Sequence, residues 1–134
     1  MKSPFRIPVR VYFQDTDAGG VVFHAQYLAF MERARSELLN AAGIDLARLL
    51  GKHRVLFLVY RIVVKYHQSA HLNELLSVSA EVVKMGRASL VFRQRVERSG
   101  ELLVEADITL ALVDRDRLKP ARMPQELEQA LKCP

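Results

Sequence analysis

Cysteine is almost missing from this chain: the one thiol, Cys133, stands next to the C-terminus, so no disulfide can close within it. A crosslinked secreted scaffold is thereby excluded, and a reducing compartment is expected. The start, Met1-Lys2-Ser3-Pro4-Phe5-Arg6, lacks the apolar run of an export signal. Nor does any stretch suit a membrane span, because the most apolar one, Val55 to Tyr66, is broken by Arg61 and Lys65. Low-complexity segments and internal repeats are absent too. The formal net charge of +5 admits nucleic acid, an anionic surface, or an acidic small molecule or protein as partner. However, the Lys and Arg residues are scattered among Asp and Glu, with no block of like charge, and this argues against nucleic acid.

What is present is enough for a single domain: 134 residues, 50% of them hydrophobic, read as one unit over 1–134 with a core of its own. Its centre is the stretch from Tyr12 to Tyr27, where Asp15, Asp17, Gly19 and Gly20 share one short loop. A strand from Arg6 to Phe13 precedes it, and Pro8 marks that strand as an edge or a strand start. A helix follows from about Ala25 to Ala42, with Tyr27, Phe30, Met31, Ala34 and Leu38 stepping by three and four along one face. Gly43 suits the left-handed residue that ends it. On the outer face, Arg33 with Glu37 and Glu32 with Arg35 have the spacing of helix ion pairs. Residues 44–52 form a short helical or irregular connection.

From residue 54 onward the period changes to two. Strands are expected over Arg54–Gln68, around Val78-Ala80-Val82, around Leu90-Phe92-Val96, and over Val104 to Leu112, with turns at Met85-Gly86-Arg87 and Ser99-Gly100. A last short helix spans Pro124 to Leu131. The fold class is therefore α+β: an antiparallel sheet curved around one long helix. Such a sheet leaves an open edge and an outer face, with Val91, Leu103, Ala111 and Val113 expected on it, and both call for a second copy.

An acidic loop running into a helix N-terminus suits chemistry on a polarised carbonyl, since free N–H groups and a partial positive charge collect there. Asp15 and Asp17 could equally shape the turn. A metal site is rejected, because the two carboxylates have no third ligand nearby. His53, His67 and His71 stand in no motif and read as ordinary strand or loop residues.

Asp15-Thr16-Asp17-Ala18-Gly19-Gly20-Val21-Val22-Phe23-His24-Ala25-Gln26-Tyr27, with Glu32-Arg33-Ala34-Arg35-Ser36-Glu37 on the helix, resembles the hotdog-fold thioesterases of the 4-hydroxybenzoyl-CoA thioesterase family. Within it the pattern is most similar to the Tol–Pal system-associated acyl-CoA thioesterases, and the similarity extends to Val9-Arg10-Val11-Tyr12 and Ser89-Leu90-Val91-Phe92. The resemblance implies a five-stranded hotdog fold and hydrolysis of acyl-CoA to carboxylic acid and CoA, with no metal or other cofactor. It also implies a homodimer or homotetramer. It places the catalytic aspartate on Asp17 and the oxyanion donor on the backbone N–H of His24, with Asp15, Gly19 and Gly20 in support.

On that reading Asp17 either activates water or attacks to form a mixed anhydride, and the two routes stay open. Phe23 and Tyr27 are expected to bind substrate, with Phe30, Met31, Leu56 and Phe57 lining the acyl pocket. Arg87 and Ser89 are expected to meet the CoA phosphates. The expected location is the cytoplasm, with peripheral contact at the inner membrane left open. Two alternatives remain. A hotdog dehydratase needs a paired His and carboxylate that the chain does not show. A non-catalytic subunit binding acyl-CoA or acyl carrier protein would exploit the positive charge.

Overall fold

The computed structural model describes residues 3–132, so the expectation for Cys133 lies outside the described residues. Five strands form one sheet: β1 (Phe5–Arg10), β2 (Val55–Tyr66), β3 (Leu75–Met85), β4 (Ser89–Arg98) and β5 (Glu101–Asp114). Their spatial order is β1-β3-β4-β5-β2, and every neighbouring pair is antiparallel. The long helix α1 (Gln26–Ala41) lies against the sheet, and α2 (Leu46–Arg48) runs into a wider helical turn, Leu49–His53. A last helix, α3 (Gln125–Lys132), closes the chain.

The sequence pattern explains this layering. Val78 and Ala80 on β3, Leu90, Phe92 and Val96 on β4, and Val104, Ile108 and Leu112 on β5 point to the helix side and are buried. From α1, Phe30, Met31 and Ala34 are fully buried among them. Each large side chain so buried contributes about 1.5–3 kcal/mol. The stripe turns slightly from the expected one, with Leu39 buried and Leu38 only half-buried. At the helix end Gly43 adopts φ +81°. Its N–H donates to the Asn40 carbonyl at 3.0 Å, and Ile44 N–H donates to the Leu39 carbonyl at 2.8 Å. That pair of bonds satisfies carbonyls that the helix itself leaves open.

Four expectations need correction. First, β1 ends at Arg10, because the Asp15 carboxylate accepts the Tyr12 N–H at 2.8 Å and draws residues Phe13–Asp15 into a 3-10 turn. Second, Arg35 is not on the outer helix face. It is buried, and donates from Nη1 to the Gln94 side-chain oxygen at 2.9 Å. Burial lowers its pKa. Third, neither the Glu32–Arg35 nor the Arg33–Glu37 pair closes within 4.0 Å among the described residues.

The fourth correction concerns the outer apolar face. Leu103 and Val113 are buried, while Val91 and Ala111 are half-buried. The β4–β5 register slips after Val96↔Val104 to Glu97↔Leu102, so Leu103 falls in a bulge and turns inward beside Val104. Val113 is covered by the segment after β5, which bridges it at Pro120. The exposed apolar run lies instead on β2, an edge strand whose Leu58, Val59, Tyr60, Ile62 and Val63 are 37–77% exposed.

Candidate active site

The loop between β1 and α1 is built around Asp15, which is 3% exposed. One carboxylate oxygen accepts the Tyr12 N–H, and the other accepts the Gln26 side-chain amide at 2.9 Å. Its backbone carbonyl accepts the Phe23 N–H, also at 2.9 Å. One buried side chain thus joins the strand exit to the helix entry. Thr16 bridges to Val22, Val21 bridges to His71, and Val22 N–H donates to the Ala70 carbonyl at 2.9 Å. The loop is therefore laced to the segment before β3, a contact the local sequence does not announce.

Asp17 is exposed at the tip of this frame. Its Oδ1 accepts the Gly19 N–H at 2.8 Å. A Cβ on Gly19 would stand 3.3 Å from that oxygen, so glycine permits the close approach. Gly20 takes φ +83°, which turns the loop back so that Asp17 N–H meets the Val21 carbonyl at 2.9 Å.

Beyond the loop, Phe23 and His24 lead into α1. Ala25, at the N-cap, offers no side-chain acceptor, and the first turn holds no acidic residue. The N-terminal end of the helix dipole is therefore left without a carboxylate of its own. Among the described residues the His24 N–H makes no hydrogen bond. The His24 carbonyl, by contrast, accepts the Tyr66 hydroxyl at 2.9 Å. An exposed carboxylate on a hydrogen-bonded loop, followed by a free N–H at a helix start, supplies the two groups that can activate a nucleophile and stabilise an oxyanion.

The other expected residues fall in different places. Phe23 is 48% exposed, its ring centroid 4.5 Å from that of His24. Tyr27 is buried, and its hydroxyl accepts the Ala70 N–H at 2.9 Å. Burial pushes its phenol pKa up. Phe30 and Met31 are core residues with no exposed surface, so they do not line an open pocket. Leu56 and Phe57 do line a cavity of about 320 Å³ between α1 and the first half of β2, together with Glu32, Arg35 and Ser36.

Arg87 and Ser89 sit at the β3–β4 turn, where Arg87 lines a second cavity of about 390 Å³ with Arg122 and with Lys132, whose ammonium is paired to Glu128 of the same lining at 2.8 Å. Arg122 and Lys132 carry no motif and come from the chain's tail. The turn follows the end of β3, whereas the Asp17 loop is laced to the segment before it. Along 11 residues of strand, the two are about 30 Å apart in one chain. The three remaining histidines pair with carboxylates: His53 with Glu126 and His67 with Glu105, each at 2.8 Å, and His71 with Glu74. Among the described residues no three His, Cys, Asp or Glu side chains are grouped to hold a metal ion, and no helix is long and apolar enough to cross a membrane.

Comparison with known proteins matches this geometry to a family. Residues 19–105 match the thioesterase superfamily. The chain is 41% identical over 130 residues to the acyl-CoA thioesterase YbgC of Haemophilus influenzae, covering 97% of this chain and 96% of that protein. It is 44% identical to the acyl-CoA thioester hydrolase YbgC of Escherichia coli O157:H7, over 92% of each. Among solved structures, a probable thioesterase from Bartonella henselae superposes with a TM-score of 0.86 at 30% identity, covering 91% of this chain and 100% of that one. The hotdog architecture is shared further with a 1,4-dihydroxy-2-naphthoyl-CoA thioesterase from Synechocystis, at TM-score 0.88 and 21% identity over 96% of each chain. On sequence, fold and loop together, the chain belongs to the thioesterase superfamily.

Proposed function

We propose that the protein is an acyl-CoA thioesterase in which Asp17 and the His24 N–H do the chemistry. The observation that carries this reading is the free His24 N–H at an uncapped helix start, framed by the loop that presents Asp17. The thioester oxygen accepts the His24 N–H, and the helix end favours the charge it gains. In the general-base route, Asp17 takes a proton from water as the oxygen of that water adds to the acyl carbon. The C–S bond then breaks, and the CoA thiolate leaves and is protonated. In the anhydride route the Asp17 oxygen itself adds to the acyl carbon, the C–S bond breaks to release the CoA thiolate, and water later cleaves the anhydride to the carboxylic acid and free Asp17. Gly19 and Gly20 bring the loop backbone close, and Asp15 holds the frame.

The cavity at Leu56 and Phe57 suits the acyl group. Arg87 and Arg122, beside Ser89, suit the nucleotide phosphates of CoA. These features and the Asp17 loop lie at opposite ends of the sheet in one chain. Antiparallel pairing of two β2 edges brings opposite ends together, and so supports a homodimer with a shared site. A tetramer of two such dimers extends the same reading. The net charge of +5 suits an acidic acyl carrier protein as a further partner, or as the ligand of a non-catalytic subunit. A cytoplasmic place rests on the scarcity of cysteine, and a link to the Tol–Pal system and envelope lipids, with peripheral contact at the inner membrane, on the sequence resemblance.

The test is CoA release from a panel of acyl-CoAs, followed with a thiol-reactive dye. Asp17→Asn is expected to lower kcat at least ~10²-fold. Wild-type rates in that variant remove Asp17 from the mechanism, and no hydrolysis of any thioester by the unaltered protein favours the binding subunit.

A further inference from the structure

Tyr66 is the last residue of β2, and nothing in its sequence context marks it. Its ring packs edge-on against Tyr27 and His24, with centroids 5.8 and 6.5 Å away. Its hydroxyl reaches across 42 residues of sequence to donate to the His24 carbonyl at 2.9 Å. Burial of the ring raises its phenol pKa.

The bonds around His24 show what this contact does. The Phe23 N–H donates to the Asp15 carbonyl at 2.9 Å, and the Phe23 carbonyl accepts the Gln26 N–H at 2.8 Å. Tyr66 holds the His24 carbonyl. Three of the four polar groups on residues 23 and 24 are therefore pinned, and the one left free is the His24 N–H. A donor aimed in advance contributes most to oxyanion stabilisation, because it need not reorient as charge develops. A donor misplaced by an ångström forfeits much of that effect.

We propose that Tyr66 is a positioning residue for thioester hydrolysis: it fixes the His24–Ala25 peptide, and with the Phe23 carbonyl held by Gln26 this sets the backbone on both sides of His24, so that the N–H carried by the Phe23–His24 peptide faces the substrate oxygen. This rests on the thioesterase reading. It also ties the oxyanion donor to the edge strand, since Tyr66 belongs to β2 and remains 44% exposed in the single chain. Pairing at that edge would tighten the same contact.

Tyr66→Phe tests this cleanly, because it keeps the ring and removes only the hydroxyl. The first readout needs no substrate. In ¹H–¹⁵N spectra of the isotope-labelled protein, the amides of His24 and Ala25 are expected to shift, while those of β3 to β5 stay in place. The second readout is steady-state kinetics with the best acyl-CoA from the panel. A roughly 10-fold fall in kcat with KM within about twofold is expected, part of the ~10²–10³-fold effect of losing a whole oxyanion donor. Unmoved His24 and Ala25 amides overturn the proposal whatever the rates show. Shifted amides with an unchanged kcat overturn it as well, since the contact would then have no catalytic consequence. An inactive wild-type protein overturns the thioesterase reading instead, and the spectra still decide whether Tyr66 holds the peptide.

Discussion

Asp15 and Asp17 are two residues apart and chemically alike, yet the fold gives them opposite surroundings. Asp15 is buried with both carboxylate oxygens occupied by N–H donors, whereas Asp17 is exposed with one oxygen on the Gly19 N–H. Substitution by Asn should separate them. Asp15→Asn turns an amide N–H₂ toward one of two donors, so a hydrogen bond is replaced by a clash of like groups. A stability loss of about 1–3 kcal/mol in urea melts is expected, with a milder fall in turnover than at Asp17. Asp17→Asn should leave the melt within about 0.5 kcal/mol, as for other exposed positions. Equal turnover losses at the two positions would contradict this division. The acidic loop was plain in the sequence, but the division of labour within it depends on Gln26 and Phe23 folding back onto Asp15.

Among the elements, α1 and β4 meet in an apolar layer through two hydrogen bonds of one polar residue, Gln94. Gln94 is fully buried and accepts from Arg35, while its amide donates to the Met31 and Ser79 carbonyls at 2.9 and 3.1 Å. Gln94→Leu suits the hydrophobicity of the layer but strands the Arg35 guanidinium against it. A loss on the order of 3 kcal/mol is expected in urea denaturation. Gln94→Glu keeps the acceptor for Arg35 but turns its other oxygen toward the Met31 and Ser79 carbonyls, so it should lose stability as well. If Gln94→Leu were as stable as the native protein, the network would be dispensable. Element boundaries and inward faces were largely legible from periods of 3.6 and two. The Arg35–Gln94 contact was not, because its partners are 59 residues apart, and the (i, i+3) spacing to Glu32 offered a nearer partner that the fold does not use.

For the whole molecule, the exposed apolar run on β2 is the feature with the widest consequence. An edge strand with open N–H and C=O groups and Leu58, Tyr60 and Ile62 exposed is a template for a second copy. Replacing Tyr60 and Ile62 together by Lys puts four like charges near the axis of a β2–β2 pair. Sedimentation at micromolar concentration is then expected to show a monomer, with CoA release lost and circular dichroism unchanged. A fully active monomer would return the whole site to one chain. A second copy was expected from the sequence because the sheet leaves an open edge and an outer face, but the exposed apolar side chains lie on β2 and not at Leu103 and Val113. Alternation identifies two faces of a strand and cannot see a bulge, and the bulge at Leu103 moved an outward position into the core.

Some properties of the protein follow from its sequence alone because they depend on neighbours a few residues away. Helix α1 and its stop at Gly43, the alternation of β3 to β5, and the glycine-rich acidic loop are of this kind. Other properties wait on the tertiary structure. They include which of two aspartates is buried, which tyrosine holds the His24 carbonyl, and at which end of the sheet Arg87 meets Arg122. Each joins residues far apart in the chain, where the cost of closing the intervening loop is met by the whole packed core. Local pattern reports that a face is buried or a donor is free, and only the assembled fold selects what that face or donor meets.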